Sequence, residues 1–237
     1  MIIIWIFLYS SQNKENEKTY IDDIYKYERL DIDKSSFDIV KITKQNIDKI
    51  FFYYKDKNNQ RFEKINKLKK QNENLKFITN GWIFSEKFEP LWLYIENKKI
   101  ISTINTDNGE WNFYIKPNGI FYIEENQAKI IKTDKYEYNS QISFAIQSWP
   151  LLVIQNKINS SFDIKSKNKF IRSGVGTDDK WNVIFAISNQ AVTFYEFASL
   201  FKDKLNCKNA LYLDGAISEM YIPGYREDTK EEFGVMI

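Results

Sequence analysis

An acidic residue at the end of an apolar strand is the first candidate for chemistry. Asp214 follows the strand-like run ALYL and precedes Gly215, with Ser218 a few residues further on. An acid that leaves a buried strand into a glycine turn is well placed at a sheet edge for catalysis or cation binding. A structural Asx-turn explains the same pattern equally well. The role of Asp214 therefore depends on its neighbours.

A basic residue followed by two glycines forms a second candidate. Arg172 precedes Ser173, Gly174, Val175 and Gly176. Glycines spaced by one residue let the backbone approach an anion, and a guanidinium offers a planar fork to phosphate oxygens. The pattern predicts an anion site, although the two glycines alone are a weak signal because this spacing is common.

A third candidate is Thr79-Asn80-Gly81, which ends the strand-like run KFIT. An Asn-Gly pair at the end of a strand is often only a turn. The same pair can instead present a side-chain amide and bare backbone N–H groups to a ligand. Both interpretations stay open at this point.

The composition excludes several kinds of chemistry. The chain has no histidine and only one cysteine, Cys207, so a zinc site built from nitrogen and sulfur ligands is excluded, as is Ser-His-Asp catalysis. Acid–base catalysis falls to carboxylates, tyrosine or lysine. No cofactor or metal ligand set is predicted, and only an oxygen-liganded cation such as calcium or magnesium is compatible. The net charge is +2 with both signs interspersed, so no nucleic-acid partner is expected.

The elements that position these residues are mostly strands. Short runs rich in β-branched and aromatic residues recur from residue 76 onward, bounded by Asn, Gly, Pro or Asp. Thr193 and Glu196 form a capping box that predicts a helix to about residue 206, and Phe62, Ile65 and Leu68 indicate another. We expect an α+β fold: a single domain of curved, mostly antiparallel β-sheet with a few packed helices. Residues 16–75 are predicted to form an N-terminal strand and helix layer of this domain, and 76–237 its core.

The first residues are almost wholly apolar. Met1 to Tyr9 read MIIIWIFLY and give way to a polar stretch. Nine residues are too few to span a bilayer, so residues 1–15 are interpreted as a signal-peptide-like or anchor segment. This predicts an exported protein in the envelope or outside the cell, with membrane association at its N-terminus. A buried first strand is the alternative, and no oligomeric state is predicted.

Taken together, six segments resemble the phosphodiester glycosidase family. They follow the family order over roughly residues 75–225, and the resemblance implies a hydrolase that cleaves a sugar from a phosphodiester-linked group of the N-acetylglucosamine type. The segments are ITNGWIF at 78–84, GEWNFYIKPNGIFYI at 109–123, AIQSWPLLV at 145–153, FIRSGVGTDD at 170–179, VIFAISNQAVTFYEFASLF at 183–201 and NALYLDGAISEMYIPG at 209–224.

The resemblance also implies a site. Arg172 and the adjacent backbone would hold the phosphate, and Asp214 would act as acid/base or stabilise an oxocarbenium-like transition state. A second carboxylate would come from Asp178 or Glu219, unless the good leaving group makes it unnecessary. The implied substrate-binding residues are Asn80, Gly81, Gln147, Ser148, Gly174, Gly176, Gly215 and Ser218. The alternatives are a non-catalytic module that binds envelope polysaccharide and a phosphodiesterase that cuts the P–O bond on the other side of the phosphate and leaves sugar-1-phosphate.

The chain departs from the family pattern in one systematic way. Tryptophan satisfies neither positive φ nor close backbone approach, and five replacements of glycine would cost on the order of 5–15 kcal/mol. Repeated use of one replacement predicts UGA codons translated as tryptophan although the organism reads them as glycine. Genuine tryptophans would instead crowd the expected pocket. Five of the six tryptophans stand on family glycine positions: Trp82, Trp92, Trp111, Trp149 and Trp181.

Overall fold

A computed structural model describes most of the chain. It covers residues 19–82, 85, 89–106, 115–214, 217–227, 232 and 234–237, with the side chains of Trp82 and Asp214 excluded. The predicted segment 1–15, Gly215 and Trp111 lie outside the described residues.

The described elements are mostly strands, which confirms the predicted α+β class. Helix α1 spans Ile65–Gln71, and helix α2 spans Phe194–Ser199 and continues as a π-helical turn over Leu200–Lys204. Single 3-10 turns cover Lys44–Lys49 and Thr133–Lys135. In chain order the strands are β1 (Thr19–Ile21), β2 (Tyr25–Ile32), β3 (Ser35–Ile42), β4 (Ile78–Trp82), β5 (Tyr94–Glu96), β6 (Lys99–Ser102), β7 (Gly119–Glu124), β8 (Gln127–Lys132), β9 (Ile142–Ser148), β10 (Leu151–Ile154), β11 (Lys157–Ile158), β12 (Ser173–Asp178), β13 (Val183–Ser188), β14 (Cys207–Asp214), β15 (Met220–Tyr221) and β16 (Val235–Met236).

Three antiparallel sheets make up the single domain. The central sheet has the order β1-β2-β3-β13-β12-β14-β10-β11, so the first three strands join it through the β3–β13 pair. A second sheet has the order β6-β5-β9-β7-β8, and a small third sheet places β4 between β15 and β16. Residues from the beginning, middle and end of the chain therefore share one framework.

The central sheet buries both of its faces. On one face Val175, Leu211 and Leu213 pack against the second sheet, where the rings of Phe121 and Phe185 meet edge to face at 6.2 Å. On the other face Ala210 and Tyr212 pack under helix α2. Successive side chains of a strand point to opposite faces, so each strand contributes alternately to the two layers.

Both predicted helices are confirmed, and local sequence explains them. The Thr193 side chain accepts a hydrogen bond from the backbone N–H of Glu196, and the Glu196 side chain accepts one from the backbone N–H of Thr193. This reciprocal capping satisfies two N–H groups that a helix start would otherwise leave unpaired. In α1 the buried residues are Ile65 and Leu68, as the apolar spacing predicts.

Candidate functional site

A row of directly paired residues crosses the central sheet, from the end of β14 to the middle of β2. Asp214 pairs with Ser173, and Ser173 pairs with Ile187 of the next strand. Ile187 in turn pairs with Asp38, and Asp38 with Arg29. Because neighbouring strands lie about 4.8 Å apart, three strand spacings of about 14 Å separate the backbone of Asp214 from that of Asp38.

Ser218 ties the segment after β14 back to this row. Its Oγ accepts a hydrogen bond of 3.0 Å from the backbone N–H of Ser173. The hydroxyl of Ser173 is itself buried, and among the described residues it has no hydrogen-bond partner. A buried hydroxyl without a partner is costly, so it is a natural contact for a bound polar molecule.

Asn80 lies beside this segment, on the neighbouring strand β4. Its Oδ1 accepts a hydrogen bond of 3.0 Å from the backbone N–H of Glu219, and its own backbone N–H donates to the Glu219 carbonyl at 3.1 Å. The Asn80 side chain is buried, and no described residue accepts a hydrogen bond from its Nδ2. Asn80, Glu219 and Ser218 therefore form one polar cluster next to Ser173, in which Asn80 and Glu219 are buried and Ser218 is half-buried.

Gln147 and Ser148 serve to position strands. The Gln147 side chain accepts a hydrogen bond from the backbone N–H of Asn105 at 2.9 Å and donates to the carbonyl of the same residue at 2.6 Å. The Ser148 hydroxyl donates to the carbonyl of Tyr212 and so joins β9 to β14. Both side chains are fully buried, and in this structure their polar atoms bind backbone.

Arg172 has a different environment from the predicted phosphate contact. Its Nε donates to the carbonyl of Val192 at 2.8 Å and one terminal nitrogen donates to the carbonyl of Asn168 at 3.3 Å. The guanidinium carbon lies 3.6 Å from the ring centre of Phe194, and the residue is only 2% exposed. Burial lowers the pKa of Arg172, with Tyr212 opposing this effect. The guanidinium thus fastens the chain before β12 to helix α2, which is a structural role.

The glycines after Arg172 also pack internally. A Cβ on Gly174 would lie 3.1 Å from the Phe197 ring, and one on Gly176 would lie 2.5 Å from Cys207 Sγ. Both glycines lie inside β12 under helix α2, so they allow close helix–sheet packing and do not form the predicted anion loop. Gly81 is similar, since its Cβ would lie 2.9 Å from a methyl group of Val235.

Asp178 lies at the opposite end of β12 from Ser173. It accepts hydrogen bonds of 2.7 Å from Lys41 Nζ and from the Asn182 amide. Burial alone would raise the pKa of Asp178, but these hydrogen bonds outweigh it and the pKa lies below its ordinary value. Of the two predicted second carboxylates, only Glu219 lies beside Ser218, and it is 1% exposed.

A charged cluster that was not predicted from the sequence lies at the other end of the row. Asp38 is fully buried and accepts hydrogen bonds from Tyr27 at 2.9 Å, Arg29 at 2.7 Å and Arg226 at 2.9 Å. Arg226 also donates to the side-chain oxygen of Asn189. Tyr27, Arg29 and Asp38 belong to the β2–β3 hairpin, but Asn189 and Arg226 are far from them in sequence, so no local motif predicts the cluster.

The structure bears on three of the unusual tryptophans directly. Trp181 has a φ of 66° in the turn between β12 and β13, and it is 54% exposed. For a bulky residue this left-handed conformation is strained, whereas glycine adopts it freely. The rings of Trp92 and Trp149 contact each other with centroids 4.1 Å apart. The prediction of recoded glycine is consistent with the Trp181 backbone and stays a prediction.

A cavity of about 580 Å³ lies away from these residues, between the α1 region and the first strands. It is lined by Tyr25, Phe51, Lys76, Phe185 and others, and none of the predicted site residues contributes to it. Within the described ranges, no three acidic or cysteine side chains lie close enough together to hold a metal ion. The candidate site is therefore the polar group at the strand ends.

The fold and site define an antiparallel α+β protein with a polar edge built from distant loops. A sequence profile described as phosphodiester glycosidase matches residues 73–233, which include Asn80, Arg172, Asp214 and Ser218. The chain belongs to the phosphodiester glycosidase family.

One sequence relative and several solved structures are similar to the chain. The uncharacterized protein YigE of Escherichia coli K12 is 41% identical over 145 residues, which are 61% of this chain and 57% of that protein. The chain thus matches little more than half the length of this relative.

The structural matches show the fold alone, because their identities are low. The catalytic domain of zebrafish N-acetylglucosamine-1-phosphodiester alpha-N-acetylglucosaminidase, auto-inhibited by its pro-peptide, has a TM-score of 0.64 at 15% identity, over 89% of this chain and 80% of that one. A hypothetical protein from Synechocystis has a TM-score of 0.53 at 13% identity, covering 90% and 62%. A candidate exported protein of Burkholderia pseudomallei has a TM-score of 0.57 at 7% identity, covering 85% and 73%.

Proposed function

We propose that the protein is a glycosidase that hydrolyses a sugar-1-phosphodiester of the N-acetylglucosamine type. Membership of the family supports the reaction class. The observation that carries the proposal is the convergence of Asn80, Ser173, Ser218 and the end of β14 at one edge, where two buried polar atoms have no described partner.

The proposed reaction breaks the bond between the anomeric carbon and the phosphate oxygen. Water supplies its hydroxyl group to the carbon and its proton to the departing phosphate, so the products are free sugar and a phosphomonoester. Asp214 acts as acid/base or stabilises the positive charge that develops on the sugar. Glu219 is the second carboxylate, and Asn80 Nδ2 and the Ser218 hydroxyl orient sugar hydroxyl groups.

The proposed setting is the cell envelope or the extracellular space. The apolar stretch from Met1 to Tyr9 supports export, and a candidate exported protein shares the fold. None of the helices in the described part of the chain has the length and apolar character needed to cross a bilayer. The proposed substrate is a glycan or glycan precursor that carries the phosphodiester.

The deciding experiment measures products released from N-acetylglucosamine-1-phosphomethyl ester. The protein with tryptophan at the five family glycine positions and a form with glycine at those positions are both assayed, with and without chelator. We expect free sugar, loss of at least about 100-fold in kcat for Asp214→Asn, and no loss for the control Asp134→Asn, whose residue is exposed.

Other products would contradict the proposal. Release of sugar-1-phosphate would indicate a phosphodiesterase that cuts the P–O bond on the side of the phosphate away from the sugar. Polysaccharide binding with no turnover in either form would indicate a non-catalytic envelope module. Loss of activity with chelator that added calcium or magnesium restores would add an oxygen-liganded cation to the site.

A further inference from the structure

Two arginines share one buried carboxylate at the end of the row that begins with Asp214. Arg29 Nε and Arg226 Nη1 lie 2.7 and 2.9 Å from the two oxygens of Asp38. The side chain of Asp38 is fully buried, whereas those of Arg29 and Arg226 are 38% and 19% exposed. The carboxylate therefore holds both guanidinium groups in place, and each keeps part of its surface accessible.

The cluster carries a net charge of +1. Two guanidinium groups and one carboxylate sum to +1, and a phosphodiester carries a single negative charge. Arginine suits this ligand because its planar fork can give two parallel hydrogen bonds to phosphate oxygens. The charge of the cluster and the planar shape of its guanidinium groups therefore suit a phosphodiester.

Some donors of the cluster have no partner among the described residues. No described residue accepts a hydrogen bond from Nε or Nη2 of Arg226. The amide nitrogen Nδ2 of Asn189 is buried and also has no partner among the described residues, although its Oδ1 binds Arg226. A buried donor without an acceptor costs free energy, so an anion that accepts from both groups would be stabilised.

The position of the cluster fits the proposed site. Arg226 belongs to the same segment as Ser218, and Asn189 directly follows β13, whose Ile187 pairs with Ser173. The backbone of Asp38, whose carboxylate binds Arg226, lies two strand spacings, roughly 10 Å, from the backbone of Ser173. One sugar ring and its attached phosphate can fill this span.

The other two arginines of the chain make their contacts in other parts of the protein. The sequence contains four arginines. Arg172 is buried under helix α2, where Nε and Nη2 donate to the carbonyls of Val192 and Asn168, and Arg61 pairs with Glu63 in the N-terminal layer. Arg29 and Arg226 are therefore the two arginines near the candidate site.

We propose that Arg226, with Asn189 beside it and Arg29 behind it on Asp38, binds the phosphate of the substrate. The proposal rests on the proposed function for the identity of that substrate. It assigns to Arg226 the phosphate contact that the sequence predicts for Arg172.

The test separates anion binding from turnover. Dimethyl phosphate, a monoanionic diester that presents no sugar, is titrated by NMR while the Nε–Hε signals of the arginines are followed. We expect a saturable shift of the Arg226 signal in the wild-type protein and loss of saturable binding in Arg226→Gln. Arg226→Lys keeps the charge without the fork, so it should bind with intermediate affinity, and Arg61→Gln is the matched control that should bind normally.

Kinetics supply the second readout, using N-acetylglucosamine-1-phosphomethyl ester. Arg226→Gln should raise KM by about 10- to 100-fold, the range expected for one charge-assisted contact. Thermal unfolding establishes that each variant is folded, and Arg226→Lys carries the test if Arg226→Gln does not fold.

The outcomes distinguish the two proposals. If dimethyl phosphate binds the wild-type protein and not Arg226→Gln, while no form releases sugar, the phosphate site stands and the glycosidase proposal fails. If the wild type hydrolyses the ester and the Arg226 variants keep its KM, the phosphate assignment is overturned. Failure of the wild-type protein to bind dimethyl phosphate overturns it as well.

Discussion

The Oγ of Ser218 lies 3.0 Å from the backbone nitrogen of Ser173 and accepts its hydrogen bond. The two serines are 45 residues apart, and the contact joins the segment after β14 to the first residue of β12. A small hydroxyl thus fixes the position of the loop that follows Asp214.

Replacing Ser218 with alanine should affect activity more than stability. The lost hydrogen bond should lower the free energy of unfolding by about 1 kcal/mol. Because the loop after Asp214 then loses its anchor, kcat should fall by at least about 10-fold. Denaturant unfolding and steady-state kinetics measure the two effects, with Ser161→Ala, a change at an exposed residue, as control. Unchanged kcat in a folded Ser218→Ala protein would contradict the expectation.

Replacing Arg172 should act mainly on stability. Arg172→Met keeps an apolar stem against Phe194 but removes the Nε donor, so the carbonyl of Val192 keeps only the hydrogen bond from the backbone N–H of Phe170. We expect the free energy of unfolding to fall by roughly 2–4 kcal/mol, since a buried hydrogen-bonded charge is removed. The KM of the folded fraction should stay within a few-fold of the wild-type value.

A raised KM with unchanged stability would instead support the phosphate contact that the sequence predicts for Arg172. A folded Arg172→Lys protein with near-normal thermal stability and a KM raised about 100-fold would mean that this guanidinium reaches the substrate. Arg61→Met provides the comparison, because Arg61 pairs only with a partly exposed glutamate among its described ion pairs.

Asp38 should make stability depend on acid pH. Burial by itself would raise the pKa of Asp38, but hydrogen bonds from Arg29, Tyr27 and Arg226 outweigh burial and hold the pKa below its ordinary value of 3.8. A carboxyl whose pKa is lower in the folded state stabilises the fold at pH values above 3.8. That contribution is lost as the pH falls from this value through the lowered one.

The matched variant is Asp38→Asn. At pH 7 it leaves two arginines without their shared counter-charge, so unfolding should become easier by roughly 3–5 kcal/mol. Between pH 5 and pH 2 its stability should change less than that of the wild type, as measured by urea unfolding across this range. A wild-type protein and an Asp38→Asn variant with parallel pH profiles would contradict this account.

Replacing Trp181 with glycine should stabilise the protein. The φ of 66° places Trp181 in the left-handed region, where a bulky side chain is strained by about 1–2 kcal/mol. Trp181→Gly should remove that strain and raise the unfolding free energy by about 1 kcal/mol. Trp181→Ala is the control, because it removes the ring and keeps the Cβ, and it should show little of the gain.

A separate measurement tests whether the five tryptophans are glycine in the natural protein. Peptide mass spectrometry of the protein from its natural host should find glycine at Trp82, Trp92, Trp111, Trp149 and Trp181. Codons other than UGA at these positions would contradict the prediction. Trp92 and Trp149, whose rings touch at 4.1 Å, would then be a genuine pair in the protein.

Local signals predict the fold better than the site. The capping box of Thr193 and Glu196 and the apolar spacing of Ile65 and Leu68 depend on neighbours within four residues, so the sequence displays them. The antiparallel α+β class follows from many short strands for the same reason. The convergence of Asn80 with Glu219 depends on pairing across 139 residues, and only the family resemblance indicated it.

The site also shows how one motif serves two purposes. Two glycines spaced by one residue suit an anion loop and a strand under a closely packed helix alike, and Gly174 and Gly176 have the second environment. The Arg29, Asp38 and Arg226 cluster has no motif, because Asp38 and Arg226 are 188 residues apart in sequence. From sequence alone, charged side chains on polar segments are expected to face solvent. Only the pairing of the strands brings these charges into contact.

The pairing of β16 with β4 has a consequence for synthesis. Asn80 pairs with Met236, and the backbones of Thr79 and Ile237 exchange hydrogen bonds of 2.9 Å. Strand β4 is made early by the ribosome, yet it acquires this neighbour only after residue 235 has emerged. The sheet around Asn80 therefore cannot form completely while the central strands are still being translated. The nascent protein completes this part of its site only after residues 235–237 have left the ribosome.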